Sequence, residues 1–314
     1  MSPAERSTPH AASPAHAPAE FHYRLPQRHG GQRPGAHRGT SLGAGQQFAA
    51  HRRLLDHPDP RRIDLRASLR DVNGDWLVRI ARQRVAVPVH ALVDVSASMH
   101  FGARRPKLAV VAEFVDALGH SAFRAGDPVG LLAFDATERE DLFLPARHSR
   151  GIGSVMAEML RTSSASAAGR KTHDKPQAAD PLAGLRHCAA RLAGHRGLVF
   201  LVSDFHGMAV DALAELLDVL TPAVVLPVLV WDPAEAAPPE ADALLAVSDA
   251  ETGVRRTLWL RETLRRDWRA AIAARRRELH ALFDARTLPP FELIDGEGRF
   301  DAEALTRHFM ESVA

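Results

Sequence analysis

Stretches that are apolar at nearly every position alternate with stretches whose apolar residues recur every three or four positions. The continuous stretches are 87–95, 129–134, 198–202 and 223–231. The periodic stretches between them are 107–118, 181–192 and 210–220. Continuous apolar runs are typical of strands buried on both faces, and the periodic runs predict amphipathic helices. This order predicts a doubly wound α/β fold, with a mostly parallel sheet covered by helices on both sides.

The flanking segments differ from this central domain, which we place at residues 86–232. Residues 1–40 are rich in Pro, His, Ala, Gly and Arg without an apolar period, so we expect a disordered arm. Residues 41–85 carry apolar anchors among many arginines and predict a small β-containing lead-in segment. Residues 233–314 predict a mixed C-terminal extension with one long helix. The Ser-, Ala- and Lys-rich residues 162–178 predict a mobile surface loop.

Two of the predicted strands end in loops rich in side-chain oxygen. The first loop contains Asp94, Ser96 and Ser98, and the second contains Ser203 and Asp204. Ligands of open α/β sheets bind beyond the carboxyl ends of the strands, so these side chains are expected to converge. Carboxylate and hydroxyl oxygens suit a hard cation such as Mg²⁺. The alternative is that the serines only cap the following helix and that Asp94 is a turn residue.

The composition of the chain argues against several classes of function. The formal net charge of +2 does not suggest a nucleic-acid-binding protein, and we expect Arg275-Arg276-Arg277 to form a solvated helix face. The single cysteine, Cys188, lies in an apolar helical pattern and is expected to be a buried structural thiol. No apolar stretch approaches the ~18–20 residues that span a bilayer, which favours a cytoplasmic protein without membrane insertion.

Enzymatic classes find little support in the sequence. No Walker-type phosphate loop and no Gly-x-Ser-x-Gly elbow is present. Phosphotransferases of the haloacid-dehalogenase type use a second acid two positions after the nucleophile, where this chain has Ser96. We expect Lys107 to begin the first helix and face solvent, and His100 and His206 to be surface histidines. The prediction is therefore a protein that is not an enzyme, with a Mg²⁺-dependent phosphotransferase or hydrolase as the alternative.

The segment Asp94-Val95-Ser96-Ala97-Ser98 resembles the metal-ion-dependent adhesion site of von Willebrand factor A domains, whose signature begins D-x-S-x-S. Four further segments have a recognisable pattern: the glycine-rich lead-in at 43–48, Arg-x-Ile-Asp at 61–64, Gly-Asp-x-Val-Gly-Leu at 126–131, and Ser-Asp-Phe at 203–205. With these segments the chain resembles the DUF58 family of von Willebrand A-like proteins associated with MoxR-type AAA+ ATPases.

The resemblance implies a von Willebrand A or Rossmann-like domain whose metal ligands are Asp94, Ser96, Ser98 and Asp204. The ion would be Mg²⁺, with Mn²⁺ or Ca²⁺ as alternatives. The partners would be a MoxR-type ATPase and a client protein that supplies a carboxylate, in the maturation or assembly of another protein.

One position departs from the family pattern. Ala179 stands where the family has its metal-site threonine. We expect the adjacent Asp180 to take that place, with Thr172 as the alternative.

Overall fold

The computed structural model describes residues 19–31, 33–43, 45, 47–169, 180, 182–248, 254–294 and 297–312. The strands in this part of the chain are β1 (Pro34–Gly43), β2 (Gln47–Arg53), β3 (Leu77–Val85), β4 (Val89–Asp94), β5 (Val129–Phe134), β6 (Leu144–Arg147), β7 (Leu198–Ser203), β8 (Val224–Leu229), β9 (Leu244–Ser248), β10 (Arg255–Trp259) and β11 (Phe291–Glu292). The helices are α1 (Leu65–Ser68), α2 (Lys107–Ala125), α3 (Ile152–Gly169), α4 (Ala183–Leu192), α5 (Val210–Val219), α6 (Pro233–Ala236), α7 (Glu262–Asp284) and α8 (Ala302–Ser312).

A six-stranded sheet forms the centre of the molecule, in the order β11-β8-β7-β4-β5-β6. All neighbouring strands run parallel except β6, which pairs antiparallel with β5 at one edge. Every residue of β4, β5 and β7 is buried, as their uninterrupted apolar sequence predicts. The prediction of a mixed α/β fold with a mostly parallel sheet is confirmed.

Hydrophobic cores lie on both faces of this sheet. Successive residues of β4 alternate between them: Ala91 and Val93 belong to one core, and Leu92 belongs to the other. Helices α2, α3 and α8 supply the first core, and helices α4, α5 and α7 supply the second. The predicted arrangement with helices on both faces is therefore present. Cys188 lies in the second core as a buried free thiol, as expected.

Helices α2 and α3 touch backbone to backbone through two glycines. A Cβ atom on Gly119 would lie 2.2 Å from the Cα atom of Gly153, so neither position has room for a side chain. Helix α3 also continues further than expected. The prediction of a loop over 162–178 is wrong for residues 162–169, because this Ala- and Ser-rich stretch continues the helix. Residues 170–178 lie outside the described part of the chain.

The expected disordered arm is also wrong from residue 19 onward. Phe21, Tyr23 and Leu25 are buried in the first core, where the ring of Phe21 stacks at 6.1 Å on that of Phe114. β1 begins at Pro34, before the expected boundary of the lead-in segment, and pairs with β3 in a small sheet of order β1-β3-β2. The N-terminal segment is ordered from residue 19 because its alternating apolar residues bury enough surface to offset the loss of conformational entropy. Residues 1–18 lie outside the described part of the chain.

The C-terminal extension is continuous with the central sheet. β11 pairs parallel with β8, and Leu305 and Phe309 of α8 fill the first core. The expected boundary at residue 232 therefore divides a single sheet. β9 and β10 form a separate antiparallel pair. In the described ranges, no helix combines the length and apolar character that crossing a membrane would require.

A buried histidine on β4 should make the stability of the protein depend on pH. Burial, and secondarily His195, lowers the pKa of His90 to about 4. Between pH ~6.5 and ~4 the unfolded chain binds a proton at this position but the folded chain does not, so stability falls as the pH is lowered. We expect a loss of about 3 kcal/mol from this residue across that window.

Urea denaturation at several pH values measures this effect. The variant His90→Gln, which cannot be protonated, should lose much of the decline, and His195→Ala should lose little of it. An unchanged pH profile in His90→Gln would contradict the assignment.

Candidate metal centre

The oxygen-rich loops meet at the carboxyl ends of β4 and β7, in the middle of the sheet. From β4 the chain crosses to β5 on one side, and β7 later returns on the other side. In doubly wound folds such a reversal opens a crevice in which ligands bind. Asp94 ends β4 and Ser203 ends β7, and both side chains are almost fully buried. The sheet topology thus brings the two predicted loops together.

Asp94 is held by both loops. Its Oδ2 atom accepts a hydrogen bond of 2.6 Å from the Ser203 hydroxyl, and its Oδ1 atom accepts one of 2.9 Å from the Ser96 backbone N–H. The hydroxyl oxygens of Ser96 and Ser98 lie 3.2 Å apart. Among the predicted ligands, Asp94, Ser96 and Ser98 are therefore assembled by one short loop that begins at the strand end.

Asp204 lies next to this group and contacts Lys107, which was expected to face solvent. The Lys107 ammonium donates to Asp204 Oδ2 at 2.7 Å and to Glu235 Oε1 at 2.6 Å. The Lys107 side chain is 0% exposed. Lys107 begins α2, the first helix of the central domain, as expected. The expectation that it faces solvent is wrong, because two carboxylates compensate its charge inside the protein.

A third loop, after β8, completes the rim of the site. Asp232 and Glu235 form a capping box at the start of α6, in which Glu235 Oε2 accepts the Asp232 backbone N–H at 3.0 Å. His206 lies 3.8 Å from Glu235 through Nε2 and Oε2. Ligand atoms of Asp204, His206 and Glu235 all lie within 4.8 Å of one another, a spacing that would allow them to share a metal ion. The Lys107 ammonium contacts two of these three side chains.

The loop after β7 has a constrained backbone. Phe205 has φ of 54°, which is rare for a residue with a side chain, and its ring is fully buried against Phe283 of α7. Arg275 of α7 donates to the carbonyl oxygens of Phe205 at 2.8 Å and of Met208 at 2.5 Å. The prediction that Arg275 belongs to a solvated face is therefore wrong. Helix α7 fixes the loop that carries Asp204.

The two buried carboxylates differ in their charge environment. Burial, and next the charge of Asp204, raises the pKa of Asp94 to about 7, against the hydrogen bonds from Ser203 and Ser96. Burial acts in the same direction on Asp204, but Lys107 and His206 together outweigh it and hold the pKa of Asp204 below its usual value. Burial alone would lower the pKa of Lys107, yet Asp204 and Glu235 hold it above its usual value. The site thus contains a compensated carboxylate beside an uncompensated one.

Asp180 is not brought to this group. Its side chain is 46% exposed, pairs with Arg186 and accepts the Leu182 backbone N–H at 3.0 Å. In the ranges that the structure describes, no contact joins Asp180 to Asp94 or Asp204. The proposed replacement of the missing ligand by Asp180 is therefore without structural support. Ala179 and Thr172 lie outside the described residues.

Three residues at the site are not evident from the sequence. Lys107 is expected there to face solvent, His206 is expected to be a surface histidine, and Glu235 has no predicted role. His206 is in fact half-buried, and its ring stacks on Trp231 at 5.3 Å. The only local signal was the Asp-Pro-x-Glu sequence at 232–235, which is typical of a helix N-terminus with a capping box.

Comparison with protein families identifies the chain. Residues 57–278 match the model of the family described as "Protein of unknown function DUF58". The chain belongs to the DUF58 family. The match spans β3 of the small sheet, strands β4 to β8 of the central sheet and most of α7, so every loop of the site lies within it. No curated protein sequence matches the chain significantly.

The solved structures to which this DUF58 chain is similar include three of low sequence identity. The conserved hypothetical protein BatB from Bacteroides thetaiotaomicron is 14% identical over 72% of this chain and 98% of its own, with a TM-score of 0.41. An aerotolerance-related membrane protein from Bacteroides fragilis is 15% identical over 73% and 98%, with a TM-score of 0.38. The PilB minor pilin from Streptococcus sanguinis is 9% identical over 78% and 66%, with a TM-score of 0.32.

Proposed function

We propose that this DUF58 protein is a non-enzymatic interaction module with a von Willebrand A-type domain that binds a divalent cation and, through it, a partner protein. The cation is Mg²⁺, with Mn²⁺ or Ca²⁺ as alternatives. The partner class is a MoxR-type AAA+ ATPase, acting in the cytoplasm with a client protein that supplies a carboxylate. The pair would assist the maturation or assembly of another protein.

The observation that carries this proposal is the environment of Asp94. Asp94 is 2% exposed, and its hydrogen-bond donors in the described chain are the Ser203 hydroxyl and the N–H and hydroxyl groups of Ser96, none of which is cationic. A buried carboxylate without a counter-charge is costly, and a bound cation removes that cost. The hydroxyl groups of Ser96 and Ser98 add two neutral oxygen donors on the same loop. The donor set therefore fits a hard divalent ion.

The chain's own residues have separate tasks in this proposal. Asp94, Ser96 and Ser98 provide oxygen ligands, and Ser203 orients Asp94 through its hydroxyl group. Asp204 supplies a second negative charge, on a loop that Arg275 keeps in place. When bound, the ion would offer a coordination position to a carboxylate of the partner. Metal binding and partner binding should then strengthen each other, because the linkage between two ligands is reciprocal.

The test is a calorimetric Mg²⁺ titration of the wild type, Asp94→Asn and Asp180→Ala. Asp94→Asn retains the shape of the side chain but removes its charge, so we expect affinity to fall by at least about tenfold. Asp180→Ala is the matched control, since it removes an exposed carboxylate outside the site and should bind like wild type. Absence of Mg²⁺ binding by the wild type, even with the ATPase present, would contradict the proposed metal bridge.

A phosphatase assay on the same variants separates the proposal from its enzymatic alternative. The interaction module should show no Mg²⁺-dependent turnover of phosphate esters. Turnover by the wild type that disappears in Asp94→Asn would instead favour the phosphotransferase. The residue two positions after Asp94 is Ser96, which cannot act as a general acid or base at neutral pH.

A further inference from the structure

The Lys107 ammonium occupies a position that the proposed metal site leaves unexplained. It lies inside the protein, bridging one of the proposed ligands and a carboxylate of the third loop. Of the 40 Lys and Arg residues in the chain, only residues 107, 171 and 175 are lysines. A lysine ammonium is a compact point charge, whereas the planar guanidinium of arginine is larger and extended. Lysine therefore resembles a small metal ion more closely than arginine does, and lysine is the residue found at position 107.

Both oxygens of Asp204 already have donors. Oδ2 accepts from Lys107 at 2.7 Å, and Oδ1 accepts from the His206 backbone N–H at 2.9 Å. The oxygens of Asp94 are likewise engaged by Ser203 and Ser96. The hydrogen bonds of the site are thus satisfied by the chain itself. A divalent ion that enters must share these oxygens with their present donors, and Lys107 is the only one of these donors that carries a positive charge.

We propose that Lys107 is a built-in counter-cation of the site, which competes with a divalent ion for Asp204 and so makes metal binding conditional. This inference rests on the proposed metal site. The ammonium and the ion repel each other at short range in a buried environment, where charge interactions are stronger than in water. Metal binding weakens the Lys107–Asp204 contact and leaves Lys107 with Glu235.

The competition would connect the metal site to the third loop. Glu235 is tied to the start of α6 by the capping box, and its carbonyl oxygen accepts the Trp268 Nε1–H of α7 at 2.7 Å. A displaced ammonium changes the charge balance of this loop as the ion enters. A partner that contacts the loop near Glu235 could therefore favour or oppose metal binding through Lys107, without touching the ion.

Calorimetric titration with Mg²⁺, and separately with Mn²⁺, tests the competition in the full-length wild type, Lys107→Met and Arg105→Met. Lys107→Met keeps the side-chain length but removes the charge, and we expect affinity to rise by about tenfold or more. Arg105→Met is the matched control. It removes a cation two residues away that pairs at the surface with Glu113 and is screened by solvent, so its affinity should stay within about twofold of wild type.

The outcomes separate this inference from the function on which it rests. Tighter binding by Lys107→Met alone supports the competition. Equal or weaker binding by a folded Lys107→Met, with a wild type that binds metal, overturns the competition and leaves the proposed function intact. Absence of binding by the wild type and both variants contradicts the proposed function, and the inference fails with it.

A second measurement uses the wild type and does not depend on how well a variant folds. In ¹⁵N-lysine-labelled protein, the buried Lys107 ammonium should give a protected NMR signal that residues in water do not give. Saturating Mg²⁺ should shift that signal strongly or abolish its protection. An ammonium signal that stays unchanged while calorimetry shows the ion bound would overturn the competition.

Discussion

Replacing Asp127 with Ala is expected to lower the free energy of unfolding by about 3 to 5 kcal/mol, more than removal of most polar side chains. Asp127 is 0% exposed and accepts three hydrogen bonds. The donors are the Tyr23 hydroxyl at 2.6 Å, His37 Nε2 at 2.6 Å and the Val87 backbone N–H at 2.8 Å. Alanine would leave these donors buried without an acceptor, and each such group costs roughly 1–3 kcal/mol.

The loss should be greatest at the N-terminal segment. Tyr23 and His37 belong to the part of the chain that precedes the central sheet, so Asp127 ties that segment to the start of β5. Burial, and next the negative charge of Asp127, raises the pKa of Tyr23 well above its usual value, which keeps the phenol a hydrogen-bond donor. Without Asp127, residues 19–31 should detach locally before the sheet unfolds.

Urea denaturation and hydrogen exchange measure the two effects. Amides of residues 21–25 should exchange faster in Asp127→Ala, while those of β4 and β7 follow the overall loss of stability. Tyr23→Phe is the matched control, because it removes one donor and should cost about 1 kcal/mol. A stability of Asp127→Ala within about 1 kcal/mol of wild type would show that the anchor is unimportant.

The central sheet and half of the site follow from local sequence. Runs such as 129–134 are apolar at every position, and only a strand buried on both faces uses such a run. The rule that ligands bind at the carboxyl ends of strands then places Asp94 near Ser203 without knowledge of the loops. The long helix expected in the C-terminal extension is likewise present, as α7.

The remaining features depend on contacts far apart in the sequence. Lys107 is buried because Asp204 and Glu235, which are 97 and 128 positions away, compensate its charge. No local pattern distinguishes such a lysine from one in solvent, where nearly all lysines lie. Arg275 is similar, because its partners are carbonyl groups 67 and 70 positions away. Sequence periodicity therefore cannot predict the charge pairs of the site, because these pairs join residues that are far apart in the chain.

The N-terminal segment shows a different kind of failure. Phe21, Tyr23 and Leu25 alternate with exposed residues in a period of two, so a local signal was present. The surrounding Pro-, His- and Gly-rich composition outweighed it in the prediction. A run of five residues is short for a periodicity argument. Its burial depends on a core that forms only when the sheet, α2 and α8 have come together.

Replacing Lys107 with Met is expected to destabilise the metal-free protein by about 3 to 5 kcal/mol. The ammonium compensates Asp204 and Glu235, and its removal leaves these carboxylates beside Asp94 without the lysine charge that contacts both of them. Removing one partner of a buried ionic group lowers the stability by far more than the whole group contributes to it. The reason is that the charges left behind stay desolvated without compensation. Urea denaturation in the presence of a metal chelator measures this loss.

Two further variants show whether the loss arises from buried charge. Lys107→Met combined with Glu235→Gln should recover part of the stability, since one of the uncompensated carboxylates becomes neutral. Arg105→Met should change stability by less than about 1 kcal/mol, as expected for an exposed pair. If the double variant is no more stable than Lys107→Met, lost packing rather than charge explains the effect.

Added Mg²⁺ then connects stability with function. An ion that binds only the folded state stabilises that state. The stabilisation grows with the logarithm of the ratio of the ion concentration to the dissociation constant. If Lys107 and the ion compensate the same carboxylate, saturating Mg²⁺ should stabilise Lys107→Met more than it stabilises the wild type. Equal stabilisation of both proteins would mean that the two cations act on separate charges. Lys107 would then stabilise the structure without competing with the metal ion for Asp204.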